Sequence, residues 1–159
     1  MKQEHITKIG VRGWLTAAVK RRGSNRFEEL WTIPVKNTLV NNGLAQMALL
    51  WGDGTALPFT KGNIGEGTTG PTVTDTALED QVDSQTGSFS RETTAVANDT
   101  AKLISTHTAP AGGWAITEYG AFNTDGTPVM YNRVTFSAIN LAETEQLQFT
   151  YKSQMTRVV

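Results

Sequence analysis

Six residues, Gly65-Glu66-Gly67-Thr68-Thr69-Gly70, satisfy the G-x-G-x-x-G spacing that in a dinucleotide-binding turn lays a pyrophosphate on a helix N-terminus. That chemistry needs a buried strand before the first glycine and a long apolar helix opening from the last. Here Pro71-Thr72-Val73-Thr74 follows instead, and Glu66 puts a negative charge where a phosphate would lie, so the pattern does not point to nucleotide binding. The two histidines, His5 and His107, are far apart with no carboxylate at ligand spacing. No G-x-S-x-G elbow offers a serine, and there is no cysteine. Glu118 is the most interesting acid, because it shares a face with Trp114, Ile116, Gly120 and Phe122, where an ionised carboxylate costs several kcal/mol unless it is paired. An ion pair with Arg133 on the neighbouring strand is expected, rather than catalysis, since no motif places a second carboxylate for a glycosidase-like pair. Asp75, Glu79, Asp80 and Asp83 match no EF-hand spacing and read as a helix cap and surface charge. No catalytic residue, cofactor or metal is expected.

The chain has 159 residues, the size of one domain, with 14 basic and 15 acidic residues and a formal net charge of -1. That balance argues against a nucleic-acid partner. There is neither an apolar stretch behind Met1-Lys2-Gln3-Glu4-His5 nor an apolar run near the length of a membrane span. A soluble protein made in the cytoplasm, without a secretion signal or a membrane partner, is the expectation.

The elements that would position these residues are mostly strands. Ile6 to Val19 and Phe27 to Val35 are rich in β-favouring residues and flank the turn-forming Lys20-Arg21-Arg22-Gly23-Ser24-Asn25-Arg26. They read as an N-terminal β-hairpin arm over residues 1–36, packed on a main domain of residues 37–159. The basic tip is either a solvated turn or a contact for an acidic partner through Lys20, Arg21, Arg22 and Arg26. From Asn41 the period changes, and Leu44, Met47, Ala48, Leu49, Leu50 and Trp51 predict a helix near 42–51, capped by Asn41 or Asn42, with Met47 and Trp51 in the core.

The stretch 62–78 reads as a long shaped loop. Gly65, Gly67 and Gly70 supply backbone freedom, Pro71 fixes φ, and Thr74 or Asp75 caps a short helical turn through the box Thr76-Ala77-Leu78-Glu79. Strands follow at Ser88 to Val96, Ala101 to Thr108, Trp114 to Phe122, Val129 to Phe136 and from Gln146 on, with turns at Asn98-Asp99 and Asn123-Thr124-Asp125-Gly126. In the last strand Leu147, Phe149, Tyr151 and Met155 share one face. Seven or eight short strands predict a mainly β chain, an antiparallel β-sandwich or jelly roll with one short helix.

Three segments taken together resemble a group of small tailed-bacteriophage virion proteins. They are Asn37-Thr38-Leu39-Val40-Asn41-Asn42-Gly43-Leu44, then Ile64 to Leu78 in the form I-G-x-G-T-T-x-P-x-x-x-D-T-A-L, then Ile116-Thr117-Glu118-Tyr119-Gly120-Ala121-Phe122-Asn123 in the form I-x-E-x-G-x-F-N. The match covers roughly residues 37 to 136, and Glu66 departs from the threonine-like residue of the pattern. The resemblance implies a non-enzymatic virion component, a decoration or cement protein on the capsid or a small tail or tail-fibre protein. Its partners would be the major capsid protein or tail proteins, and a homo-oligomer, with a trimer favoured, is expected. A glycan-binding module stacking sugars on Trp14, Trp31 or Trp114 is the alternative of another class.

Overall fold

The structure is a computed structural model and describes residues 8–31, 35–124 and 126–158. Its elements are β1 (Lys8–Lys20), β2 (Glu28–Glu29), β3 (Val35–Lys36), β4 (Thr38–Leu39), α1 (Asn41–Leu49), β5 (Phe59–Gly65), β6 (Gln81–Thr86), β7 (Ser88–Glu92), β8 (Thr100–Thr108), β9 (Trp114–Asn123), β10 (Met130–Leu141) and β11 (Gln146–Val158). The chain is a β-sandwich. One sheet runs β2-β1-β11-β8-β7, with β3 sharing the β1 edge with β2, and the other runs β4-β10-β9-β5-β6. All the pairings are antiparallel.

The N-terminal segment is built into this architecture rather than attached to it. β1 pairs with β11 continuously from Lys8↔Val158 to Lys20↔Gln146, so the segment expected to be an arm is an inner strand of the larger sheet. Of the expected second arm strand, Phe27 to Val35, the described residues contain β2 and the start of β3, while Thr32, Ile33 and Pro34 lie outside the described residues, as do Ile6 at the start of the first and Asp125 in the β9–β10 turn. Four connections, β3–β4, β6–β7, β8–β9 and β10–β11, carry the chain from one sheet to the other. Gly113 at the β8–β9 crossing has φ +75°, and a Cβ there would lie 2.2 Å from the Leu141 carbonyl oxygen, so only glycine makes that corner.

Period-two patterning builds the core. Leu147, Phe149 and Tyr151 of β11 are buried, as are Leu15, Ala17 and Val19 of β1. The Phe149 ring stands 4.9 Å from Tyr119 and 5.6 Å from Phe136, spanning the two sheets. Strand β9 is buried on both faces. Tyr119 and Ala121 enter the inter-sheet core, while Phe122 joins Val40, Leu78 and Met130 in a second, smaller cluster.

The helix differs from its sequence reading. It starts one residue earlier and ends at Leu49, and its N-cap is Val40, whose extended backbone offers no side-chain bond, so neither Asn41 nor Asn42 caps it. The buried helical residues are Gly43 and Gln46. Leu44, Leu49 and Leu50 are exposed, and Trp51, expected in the core, is 83% exposed. Gly43 explains the inversion, because a Cβ there would lie 2.3 Å from the Tyr131 carbonyl oxygen: the helix meets the sheet backbone on its small face. Among the described residues no helix is long and apolar enough to cross a membrane.

Candidate functional site

The expected glycine loop begins later than its composition suggests. Gly62, Asn63, Ile64 and Gly65 belong to β5, and the irregular stretch is residues 66–80, which crosses the outer face of the smaller sheet. It contains no helical turn, so the capping box at Thr76 to Glu79 does not form. Glu79 instead accepts bonds from the Thr69 amide (2.8 Å) and hydroxyl (2.7 Å). Asp75 turns back on Thr72, accepting from its amide at 3.0 Å and its hydroxyl at 2.6 Å.

Glu118 is at the centre of this loop. Its Oε1 accepts the amides of Asp80 (2.8 Å) and Gly67 (3.2 Å), and its Oε2 accepts the Glu79 amide (3.2 Å) and Arg133 Nε (2.9 Å). The glutamate is fully buried, and every contact is one an ionised carboxylate wants. Arg133 continues the network through Nη1 to Asp75 Oδ2 at 2.9 Å and, more loosely, Nη2 to Glu79 at 3.6 Å. Burial pushes the Asp75 carboxyl upward, but its bonds from Thr72 and Arg133 outweigh this and hold it below the usual carboxylate range. Burial also pulls the Arg133 guanidinium down, yet Asp75 and Glu118 more than offset it and raise it.

The loop glycines work by size. Gly65, Gly67 and Gly70 all lie outside the left-handed region, contrary to the backbone freedom expected of them. A Cβ on Gly65 would sit 2.4 Å from Glu118 Oε1, and one on Gly67 would sit 2.6 Å from the same atom and 2.5 Å from Glu79 Cβ. A Cβ on Gly70 would meet nothing within 4 Å. Glu66, the departure from the phage pattern, accepts the Ala115 amide at 2.8 Å and pins the loop to the start of β9, while Thr117 Oγ1 donates to the Gly67 carbonyl at 2.8 Å. The acidic group that Glu66 brings into the loop is therefore an internal tie. Leu78 closes the bracket against Gly120, where a Cβ would come within 3.1 Å of its methyl group.

A second polar group was not foreseen. His107 Nδ1 lies 2.7 Å from Asp83 Oδ2 and its Nε2 lies 3.2 Å from Ser105 Oγ, the bonding order of a Ser-His-Asp relay. Ser105 and His107 are buried, and a Cβ on Gly62 would meet Ser105 Oγ at 2.2 Å. The hydroxyl is buried and packed against the Gly62 backbone, the setting of a structural link. The group joins β8 of one sheet to β6 of the other. Its sequence signal was polar residues in the core register: Leu103, Ser105 and His107 share one face of β8. Asp83, read as surface charge, is the partner that only the fold could bring. Burial holds the imidazole below its ordinary value against the opposing pull of Asp83. A group held neutral in this way stabilises the fold fully above its unfolded pKa of about 6.5, and loses that contribution as pH falls towards the lower folded value. Thermal midpoints measured from pH 7 to pH 5 should therefore fall for the parent and fall less for His107→Gln. Parallel curves would show that His107 does not titrate on unfolding.

At the basic tip the four cations part company. Arg21 Nη1 donates to Glu145 Oε2 (2.7 Å) and to the Asn140 carbonyl (2.9 Å), and the Arg22 amide donates to Glu145 Oε1 (3.2 Å). Arg21 thus closes the tip onto the β10–β11 corner. Arg22 and Arg26 are exposed and Lys20 is half-buried. Trp14, Trp31 and Trp114 are all half-buried, and Trp31 packs edge-on against Phe136 at 5.0 Å.

The opposite end of the sandwich is open. Beyond Gly87 the chain leaves β6 for β7, and residues of both sheets and of the α1 region line a cleft of about 360 Å³, among them Met47, Trp51, Phe59, Phe89, Tyr131 and Met155. No charged cluster able to hold a metal occurs among the described residues. Neither family models, nor curated proteins, nor solved structures give a match to this chain.

Proposed function

We propose that this chain is a non-enzymatic structural component of a bacteriophage particle, a decoration or cement protein binding neighbouring subunits of the capsid. The supporting observation is where the phage-like residues go. Gly65, Gly67, Asp75, Leu78, Glu118, Gly120 and Phe122 come from two segments far apart in sequence and meet in one bracket. Each Glu118 carboxylate oxygen there already accepts two bonds, so the acid has a structural task and no free lone-pair direction for a substrate proton. A sandwich with a rigid, self-satisfied loop across one face suits attachment to a neighbour.

Quantitative mass spectrometry of purified particles tests this reading. Copies on the order of hundreds are expected for a capsid site, about six or twelve would move the protein to the tail, and absence from the particle would reject a virion role. The basic tip supplies the attachment contact in this reading. Changing Lys20, Arg21, Arg22 and Arg26 together to serine should cost about 1 kcal/mol or less, since the Arg21 pair is partly exposed, while weakening co-sedimentation with stripped particles most at low salt. Unchanged binding across the salt series would leave the tip as a solvated turn.

A further inference from the structure

The cleft at the open end of the sandwich is large for an unfilled apolar space. A 150 Å³ cavity in a protein core is enough to hold benzene, and this one has more than twice that volume. Apolar side chains that a folded chain normally covers stand at its rim: Trp51 is 83% exposed, Phe89 54%, Leu50 41% and Met155 40%.

Two further features say what covers it. The first is backbone. Among the described residues β7 ends its sheet and pairs only with β8, so its outer edge offers amides and carbonyls without a strand partner there, directly beside the cleft. The second is charge. In the β7–β8–β11 register Phe89 lies opposite Leu103 and Tyr151, and Arg91 lies opposite Ala101 and Ser153, so both rows belong to the inner face that lines the cleft. Arg91 is exposed and has no hydrogen-bonded or charged partner among the described residues. The nearby Glu92 is on the other face, held between Lys102 and Lys152 at 2.5 Å from each. An uncompensated cation therefore stands two residues along the strand from an exposed aromatic at the mouth of an apolar cleft.

We infer that the cleft is a strand-addition site for an extended segment of a neighbouring protein, in which a large apolar residue fills the cleft and a carboxylate two positions away meets Arg91. Strand addition satisfies the β7 edge, and the two-residue period of a strand sends alternate side chains of the guest to the same inner face, one to the Phe89 row and one to the Arg91 row. Opposite charge selects the guest's acid and fixes its register. The inference deepens the proposed function by naming a contact to a neighbour, yet its test uses the isolated chain and is independent of where the protein resides.

The probe is a set of short blocked peptides of alternating threonine background, carrying Leu, Phe or Trp at one position and Glu, Gln or Lys two residues on. Binding is followed by fluorescence anisotropy and by amide shifts of Ser88 to Glu92. The Glu peptide with the best anchor should bind about tenfold tighter than its Lys counterpart, and Arg91→Glu should reverse that preference. Because Arg91 is exposed and unpaired, the variant should keep the parent's melting temperature, which separates lost recognition from lost folding. Failure of every peptide to shift the β7 amides, or a preference unchanged in Arg91→Glu, overturns the inference. So does a concentration-dependent dimer in sedimentation equilibrium that Phe89→Glu abolishes, since a second copy would then be the occupant.

Discussion

Glu118→Ala is expected to lower the unfolding free energy by about 3–5 kcal/mol, the cost of breaking a buried ion pair by removing one partner, which for a chain of this size is a drop of roughly 10 °C or more in Tm. The loss has two parts. Arg133, 4% exposed, keeps only Asp75 and the distant Glu79, and the amides of Gly67, Glu79 and Asp80 lose their acceptor. Each orphaned amide costs about 1–3 kcal/mol where water cannot reach it. A simple buried ion pair can often be exchanged for two apolar residues without loss. Here the double replacement Glu118→Leu with Arg133→Met should remain well below the parent in urea or heat denaturation, because no apolar residue can accept three amides. Recovery of the parent's stability in that double variant would show that Glu118 only neutralises Arg133 and that the loop is held by other contacts.

Gly67→Ala should be almost as damaging as Gly67→Val, at about 3 kcal/mol, and this equality is the informative part. If the loop needed glycine for a positive φ, strain would decide the effect. Gly67 lies outside that region, and what excludes a side chain is the 2.5 Å to Glu79 Cβ and 2.6 Å to Glu118 Oε1 that any Cβ would meet. A single methyl group therefore suffices to push Glu118 off its amides. Gly70→Ala, in open space, should melt with the parent and serves as the control within the same loop. A Gly67→Ala protein that melts with Gly70→Ala would mean that the loop shifts freely and does not lock the bracket.

The acid at 118 illustrates how far residue types alone carry an argument. Alternation over residues 114–122 placed a carboxylate on an apolar face, and desolvation required it to find a cation; Arg133, whose Cα partner in β9 is Gly120, is bonded to it at 2.9 Å. What alternation could not supply was the other half of the coordination. The amides of residues 67, 79 and 80 reach Glu118 only because the loop lies across the sheet, and an irregular segment has no period from which its path can be read.

Strand content, the sandwich class, the inward face of β11 and the acid needing a partner were determined by the sequence itself, because each depends on local period and on the cost of burying charge. The tertiary structure alone decided the rest. The apolar residues of α1 read as a core stripe, but the helix docks through Gly43 because the Tyr131 backbone comes too close for any side chain; Leu44 and Leu49 are left exposed, and Leu50 and Trp51 just beyond the helix stand at the cleft. His107 and Asp83 looked unrelated, 24 residues apart, until the β6 and β8 strands of opposite sheets brought them within 2.7 Å. Arg91 was one charge among many until pairing of β7 with β8, and of β8 with β11, put it in the row of Ala101 and Ser153 on the inner face that lines the cleft. In all three cases the deciding quantity is a distance between segments remote in the chain, which side-chain type and spacing do not encode.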